Sequence, residues 1–180
     1  FAQNWASANA GAMATGDTSG TTPAAQAAQL RNLIDDAEGT TWATAGNVDG
    51  AGNLSVDGKK VTVDLAGTAA QKIRRVQVSA LLAGNPNRFT ALRQFELWGC
   101  NAAAGSNCSS DAGFSKVYTS PVNAFPGDPP RPVTPHLILR DFNVPDFTAT
   151  HVLLVVKTSQ CTGTPAFMGD QDADPGVNAD

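Results

Sequence analysis

Basic residues are scarce in this sequence, which has 12 lysines and arginines against 16 aspartates and glutamates among 180 residues. The basic residues are scattered, so no positive stripe is present that would neutralise a phosphate backbone. Long apolar runs are absent as well, since runs such as Val152–Val156 are far shorter than the ~20 residues that span a bilayer. These absences predict a protein that binds no nucleic acid and has no transmembrane segment.

Catalytic motifs are also missing. The sequence has no HExxH helix, no GxSxG elbow and no phosphate-binding loop. Its two histidines are His136, in a proline-rich stretch, and His151, at the start of an apolar segment. Neither has metal-ligating neighbours in sequence, whereas zinc takes about three or four protein ligands. Both are therefore predicted to be structural or solvated side chains, and the chain is interpreted as non-catalytic.

Cysteine is rare, with three residues in the chain. Cys100 and Cys108 bracket a short loop of Ala, Gly, Ser and Asn, which closes easily, so a local disulfide is predicted. Free thiols and a zinc site are the alternatives, although Cys-x7-Cys with one further Cys matches no zinc-finger spacing. A disulfide indicates an oxidising compartment, and a surface of small neutral residues agrees with it. The protein is therefore predicted to be secreted and extracellular.

Alternation of apolar and polar residues is the main pattern that is present, and it predicts β-strands. Six segments carry strand patterns: Lys60–Leu65, Ile73–Ala80, Leu92–Trp98, Lys116–Thr119, Leu137–Val144 and His151–Lys157. The last is apolar on both faces, which predicts a central strand. The best helical segment is Pro23–Ile34, with proline near its start. Several strands with few helices predict an all-β protein, an antiparallel β-sandwich.

One domain is predicted, over residues 1–168, because 180 residues leave little room for a second. The proline-rich stretch Val122–Pro135 is predicted to be a loop. Residues 169–180 are polar and acidic, and they are predicted to form a loop or tail. A calcium loop is the alternative there, but the Glu that an EF-hand requires does not follow.

Oxygen-bearing side chains are concentrated in one early loop, at Asp35, Asp36, Glu38 and Thr40. Calcium is a hard cation that takes about six to eight oxygen ligands, many of them carbonyls of tight loops. These residues are therefore a candidate site for a structural calcium ion. The alternative is a solvated turn that is capped by Thr or Asp side chains.

The order of these segments resembles the discoidin domain, also called coagulation factor 5/8 type C. The resemblance is carried by LIDDAEGTTWAT, KKVTVDLAG, IRRVQVSALL, FTALRQFELWGC, FSKVYTS, LILRDFNVP and ATHVLLVV, and it covers roughly Asn4 to Lys157. LIDDAEGTTWA, AFPGDPPRPV and ATHVLLVVKTSQCTGTPAF are also similar to discoidin-like domains attached to secreted bacterial metallopeptidases. The resemblance implies a galactose-binding-like jelly roll that serves as an accessory module.

The resemblance also implies a calcium site in the same early loop. Asp35 lies seven residues before Trp42 and Thr40 lies two before it, as in the family pattern. Ala37 departs from that pattern, because a second acidic residue is common at this position. The resemblance further implies a terminal strand, usually apolar with a Glu, which is not seen before Asp180.

A sandwich without its terminal strand leaves unpaired N–H and C=O groups on the neighbouring strand. We therefore expect a segment of a larger secreted precursor, or a strand of an adjacent subunit, to fill the edge beside His151–Val156. Cys161 follows this strand and is expected to bond to the same segment. The alternative is a complete domain in which Cys161 is a small buried thiol.

Sugar-binding modules stack an aromatic ring on the sugar and add a few polar groups, and rings in loops are the candidates. Asn87, Arg88 and Phe89 form a predicted turn that would present a cation beside a ring. With Phe125 they are the predicted ligand-binding residues, while Trp5 is a further candidate. The alternative for Phe89 is packing beneath its own loop. The other two tryptophans are predicted to be core residues.

Two functions from different classes follow. The first is a non-catalytic module of a secreted protein that binds glycans or cell-surface material. The alternative is a structural domain that packs on a secreted enzyme, such as a metallopeptidase, or that assembles into an extracellular polymer. An exposed ring with polar neighbours at a loop edge would favour the first, and a broad apolar patch or an open sheet edge the second.

Overall fold

The computed structural model describes residues 3–48, 54–80, 91–125 and 139–160. In chain order the elements are β1 (Met13–Gly16), α1 (Pro23–Asn32), β2 (Asn47–Val48), β3 (Leu54–Ser55), β4 (Lys60–Asp64), β5 (Gln71–Val78), β6 (Leu92–Cys100), β7 (Ser115–Thr119), β8 (Arg140–Ala149) and β9 (His151–Ser159). Short 3-10 turns lie at Ala8–Ala10, Ala102–Ala104 and Asp111–Gly113. Strands dominate and helix is limited, so the predicted all-β class is confirmed.

The larger layer is a five-stranded antiparallel sheet in the order β1-β4-β9-β6-β7. Strand β9 lies at its centre, where Leu154 pairs with Val61 of β4 and with Leu97 of β6. The predicted central position of this strand is confirmed. The expected open edge beside it is wrong, because β4 and β6 already occupy both of its edges, so no external strand is required there.

The second layer is the antiparallel ribbon β5–β8, which packs its apolar face on the sheet. Phe142 and Val144 of β8 meet Phe95 and Leu97 of β6 in one buried cluster. The Phe95 and Phe142 rings are 5.0 Å apart at 85°, an edge-to-face contact. Such aromatic pairs add to the free energy of area burial, so this cluster is the main core of the sandwich.

Strand β8 extends past a proline. The predicted strand Leu137–Val144 stops before Pro145, whereas β8 begins later, at Arg140, and continues to Ala149. Ile73 pairs with Phe147 and Arg75 with Asn143, so the pairing shifts register around Pro145. A residue without an N–H is tolerated there because an irregular stretch requires no ladder hydrogen bond from it.

Strand β1 is the element that alternation missed. It is short, it pairs with β4, and its last residue is Gly16 with a φ of 136°. A Cβ on Gly16 would lie 2.5 Å from the carbonyl oxygen of Lys60, so only glycine allows this close pairing. The four residues of β1 show no strand pattern, because the stability of this strand comes from its pairing with β4.

Helix α1 confirms the predicted helix, although it ends at Asn32 instead of Ile34. The Thr22 hydroxyl accepts a hydrogen bond from Ala25 N, and Pro23 occupies the first turn, as a helix start favours. Ile34 leaves the helix and is buried with Ala12 and Ala66. The helix itself buries no residue, so it lies on the surface of the sandwich.

The predicted disulfide is confirmed between Cys100 and Cys108, whose Cα atoms are 5.7 Å apart. It closes residues 101–107 into a ring, and we call the whole segment from Asn101 to Phe114, which lies over the other face of the sheet, the disulfide loop. There Phe114 is buried with Cys100 and Leu153 in a second, smaller core, against which Trp98 packs. The loop is also tied to β4 by an ion pair between Lys60 Nζ and Asp111 Oδ2.

Candidate functional site

One end of the sandwich gathers the residues that bear on binding. Leu92 at the start of β6 pairs with Ser159 at the end of β9, and Val78 at the end of β5 pairs with Arg140 at the start of β8. The two layers are joined here, because Arg140 Nη1 donates a hydrogen bond to the Ala124 carbonyl at 2.8 Å. We call this end of the sandwich the loop end.

Phe125 lies at the loop end, but the prediction that it presents its ring to a ligand is wrong. Its ring is fully buried, 6.5 Å from the Phe95 ring and 5.7 Å from the Phe142 ring. The ring therefore belongs to the main core, where its removal from water stabilises the fold. The other predicted ligand residues, 87–89, lie outside the described residues.

A buried amide holds the segment that contains Phe125. Gln160, directly after β9, is fully buried, and its Nε2 donates hydrogen bonds to the carbonyl oxygens of Phe125 and of Leu92. Its Oε1 accepts a hydrogen bond from Arg93 Nη1 at 3.1 Å. Gln160 thus joins the end of β9, the start of β6 and the segment after β7. Buried polar groups that are fully hydrogen-bonded in this way fix one arrangement of the chain.

Arg93 is a cation of the loop end, as is Arg140. Arg93 is half-buried, and its removal from water lowers the pKa of its guanidinium below its ordinary value. Its Nε is buried and has no hydrogen-bond partner among the residues that the structure describes. The sequence analysis predicted a role for neither Arg93 nor Gln160. In the sequence, Arg93 is one polar residue of a predicted strand, and Gln160 belongs to a polar segment after another strand. No spacing or motif distinguishes either of them.

The early acidic loop separates into two parts. Thr40 Oγ1 donates a hydrogen bond to Asp35 Oδ2 at 2.7 Å and lies 3.3 Å from the carbonyl oxygen of Ala37. Asp35 Oδ1 accepts a hydrogen bond from the Ala37 N–H at 3.0 Å. Two of the four predicted calcium ligands, Asp35 and Thr40, are therefore brought together, with a carbonyl oxygen beside them.

The other two predicted ligands point elsewhere. Asp36, whose φ is 61°, accepts hydrogen bonds from Asn4 Nδ2 at 2.7 Å and from Ser7 Oγ, so it ties the loop to the N-terminal segment. Glu38 Oε2 accepts a hydrogen bond from Ser79 Oγ at 2.9 Å, just beyond β5. These carboxylates serve separate contacts between segments and are not parts of one cluster.

The atoms around Asp35 are oxygens of the kind that a hard metal ion binds. The Asp35 carboxylate, the Thr40 hydroxyl and the Ala37 carbonyl are hard oxygens within one turn, which is the donor type that calcium takes. The same contacts also make a capped turn without metal. Across the described ranges, no three His, Cys, Asp or Glu side chains cluster as metal ligands. Calcium therefore stays a prediction, and it depends on hydroxyl and carbonyl oxygens beside Asp35.

Two of the three tryptophans, Trp42 and Trp98, are tied to polar partners. Trp42 is half-buried and donates from Nε1 to the Asp17 carbonyl at 2.8 Å. Trp98 is half-buried too, its Nε1 donates to Glu96 Oε2 at 3.1 Å, and Lys116 Nζ lies 5.9 Å from its ring centroid. Both were predicted to be core residues, and the structure makes them border residues. Lys116 shields the Trp98 ring, so this ring is not an open platform for a ligand.

His151 is held by its neighbours. Its Nδ1 lies 2.8 Å from Thr150 Oγ1, and its Nε2 lies 3.4 Å from Asp64 Oδ1. The Thr150 hydroxyl also accepts a hydrogen bond from the Ala102 N–H, which fixes the start of the disulfide loop. This is the environment of a structural side chain, whereas His136 lies outside the described residues. Within the described part of the chain, no helix is long and apolar enough to cross a membrane.

No family model and no curated protein matches this sequence. Among solved structures, the chain is similar to CpGH89CBM32-5 from Clostridium perfringens, in complex with GalNAc-β-1,3-galactose (19% identity, TM-score 0.51, 84% of this chain and 86% of that one). It is also similar to chitosan-binding module 2 of a Paenibacillus sp. IK-5 chitosanase/glucanase, in complex with chitotriose (15% identity, TM-score 0.54, 88% and 91%).

A third similar structure is SpGH29, of which the matched part is a fraction (12% identity, TM-score 0.52, 88% of this chain and 25% of that chain). At these identities the comparisons establish the fold alone. The chain has the β-sandwich fold of these structures, which agrees with its resemblance to discoidin domains.

Proposed function

We propose that this protein is a non-catalytic, glycan-binding accessory module of a larger secreted protein. One observation carries the proposal: the whole sandwich, and not a fragment of it, is shared with modules that were solved with GalNAc-β-1,3-galactose and with chitotriose. The fold also makes up a quarter of the longer chain SpGH29, which supports an accessory role. Fold alone does not fix function, so the proposal rests on the site as well.

The loop end is the proposed binding surface. Residues 87–89, which pair a cation with an aromatic ring in sequence, lie between β5 and β6, whose ends meet this surface. Gln160 and Arg140 fix the neighbouring segment by hydrogen bonds to backbone carbonyls. A surface held by a packed core and buried hydrogen bonds is preorganised, which lowers the entropy lost when a flexible sugar binds. Asn87, Arg88 and Phe89 are retained as proposed ligand contacts.

The proposal is tested on a glycan array with the labelled recombinant chain, with its disulfide intact. Binding to a defined set of glycans is expected, and a variant with Arg88→Ala and Phe89→Ala should lose it. The matched control is Arg74→Ala, an exposed arginine on the ribbon outside the loop end. If the folded wild type binds no glycan, the structural alternative of a domain that packs on a secreted enzyme replaces this function.

Calcium is the second part of the proposal. Asp35, Thr40 and the Ala37 carbonyl would hold the ion, which would neutralise the Asp35 carboxylate and stiffen the early loop. An ion that binds only the folded state stabilises it, so chelation should lower the melting temperature and added calcium should restore it. Asp35→Asn should remove this response, while Asp36→Asn should leave it. An identical melting curve with and without chelator would favour the capped turn.

A further inference from the structure

Arg93 occupies an irregular position at the start of β6. Leu92 pairs with Ser159 and Gln94 with Thr158, so one residue of β6 is inserted where β9 has none, and that residue is Arg93. Such bulges turn a side chain out of the regular pleat and are enriched beside binding sites. The carbonyl of Arg93 still accepts a hydrogen bond from the Phe125 N–H, at 3.4 Å. The backbone of Arg93 is thus anchored while its side chain is redirected.

The guanidinium of Arg93 is held but not neutralised by the described residues. Its Nη1 donates to Gln160 Oε1, and Gln160 is itself fixed by two backbone carbonyls. Within the described ranges no carboxylate forms an ion pair with it, whereas Lys72, Arg75 and the other paired cations of the sandwich each face one. Its buried Nε has no acceptor in the described part of the chain. A partly desolvated cation that has one amide acceptor and no paired carboxylate among the described residues is incompletely satisfied, and such groups require an explanation.

We propose that Arg93 recognises the carboxylate of an acidic sugar, such as a uronic acid, with Gln160 as its positioning residue. The proposal rests on the glycan-binding function and names the class of glycan. A guanidinium presents a planar set of N–H donors that matches the two oxygens of a carboxylate. Gln160 uses one donor of Nη1, which sets the plane of the group, and Nε is buried, so the donors left for a ligand are those of the amino groups, Nη2 above all. A neutral sugar would offer weaker hydroxyl acceptors to the same donors.

The charge of the whole chain makes this assignment specific. The formal net charge is −4, so long-range electrostatics repel acidic glycans instead of collecting them. Preference for an acidic sugar must therefore come from a local contact with a fixed cation. Arg93 meets that requirement because its amide partner, Gln160, is fully buried and cannot shift.

The experiment uses matched ligands that differ only in the carboxylate. Trigalacturonate and 3′-sialyllactose are each compared with their carboxyl-reduced forms by calorimetric titration of the full chain. At least one acidic probe should bind about tenfold or more tightly than its reduced form, since a charge-assisted hydrogen bond is roughly twice as strong as a neutral one. Arg93→Gln should abolish this preference, and Arg93→Lys should retain part of it, because it keeps the charge but loses the planar donors.

Two controls distinguish a failure of this inference from a loss of folding and from a failure of glycan binding. Arg74→Gln removes an exposed arginine of the ribbon and should leave the preference intact. Melting curves show whether Arg93→Gln and Arg93→Lys remain folded. Binding without a carboxylate preference, or a preference that survives Arg93→Gln, overturns the role of Arg93 while glycan binding stands. If no glycan on the array binds, the proposed function itself fails, and this inference fails with it.

Discussion

The two faces of the five-stranded sheet are covered in different ways. On one face the ribbon β5–β8 packs Phe142 against Phe95. On the other, the disulfide loop, which the Cys100–Cys108 crosslink anchors, buries Phe114 on Leu153. Strand β9 contributes side chains to both faces, because successive side chains of a strand point to opposite faces. A broad aromatic core stabilises the first face, and a short covalent closure stabilises the second.

The two faces therefore contribute differently to the stability of the fold. The aromatic core holds the two layers together, so a loss there should destabilise the whole sandwich. The disulfide loop covers little apolar surface and depends on the crosslink and on the Lys60–Asp111 ion pair. Loss of the aromatic core should therefore cost more stability than loss of the crosslink.

Phe95→Ala should give the largest loss of stability. The side chain is fully buried and touches the rings of Tyr118, Phe125 and Phe142. Removal of a buried phenylalanine costs the transfer free energy and leaves a cavity, about 3–5 kcal/mol in all. Urea unfolding measures the change. Val122→Ala, at a 69% exposed position, is the control and should stay within about 0.5 kcal/mol. A loss below about 1 kcal/mol for Phe95→Ala would contradict the main core.

Removal of the disulfide should have an intermediate effect. The crosslinked cysteines are eight residues apart in sequence, and closure of so short a loop is worth about 2–3 kcal/mol. The Cys100→Ser and Cys108→Ser double variant should show this loss in urea unfolding. Reductant should destabilise the wild type equally and leave the double variant unchanged. Two reactive thiols in the native wild type would refute the disulfide.

The ion pair of Lys157 with Asp57 should give the smallest effect. Their side-chain atoms Nζ and Oδ1 are 2.6 Å apart, and this hydrogen bond raises the pKa of Lys157 above 10.5. A raised pKa means that the stabilisation is complete below the ordinary lysine pKa and is lost as pH rises through the folded value. Lys157→Met should therefore lower the melting temperature slightly at pH ~7 and not at strongly alkaline pH, with Asp57→Asn behaving alike. An equal difference at both pH values would exclude the ion pair as its cause.

The strands of the main sheet could be predicted because their side chains alternate. The patterns at Lys60–Leu65, Leu92–Trp98 and His151–Lys157 coincide with β4, β6 and β9, and the central place of β9 follows from its two apolar faces. The strand β1 could not be predicted, since its pairing requires a close approach at Gly16 that no pattern encodes. A strand can be predicted where buried and exposed side chains alternate, whereas a strand that depends on pairing with a partner strand cannot.

The candidate site could be predicted far less well. Phe125 was expected to be exposed because it lies in a loop, but loop position does not determine burial, and its ring fills the core. Asp35 and Thr40 were predicted from their oxygen atoms and from their spacing, and they are in contact, although calcium there stays a prediction. Arg93 and Gln160 were not predicted, because a contact between the start of one strand and the residue after another depends on the folded pairing. Such long-range hydrogen bonds leave no local signal.

The most direct test of the central claim is a titration of the isotope-labelled chain with the best-binding glycan, followed by backbone amide NMR signals. Binding at the loop end should shift the signals of Leu92, Arg93 and Gln160. The signals of the disulfide loop, from Asn101 to Phe114 at the opposite end of β6, should stay in place. Shifts confined to the disulfide loop, or no shift with any glycan, would contradict glycan binding at the loop end.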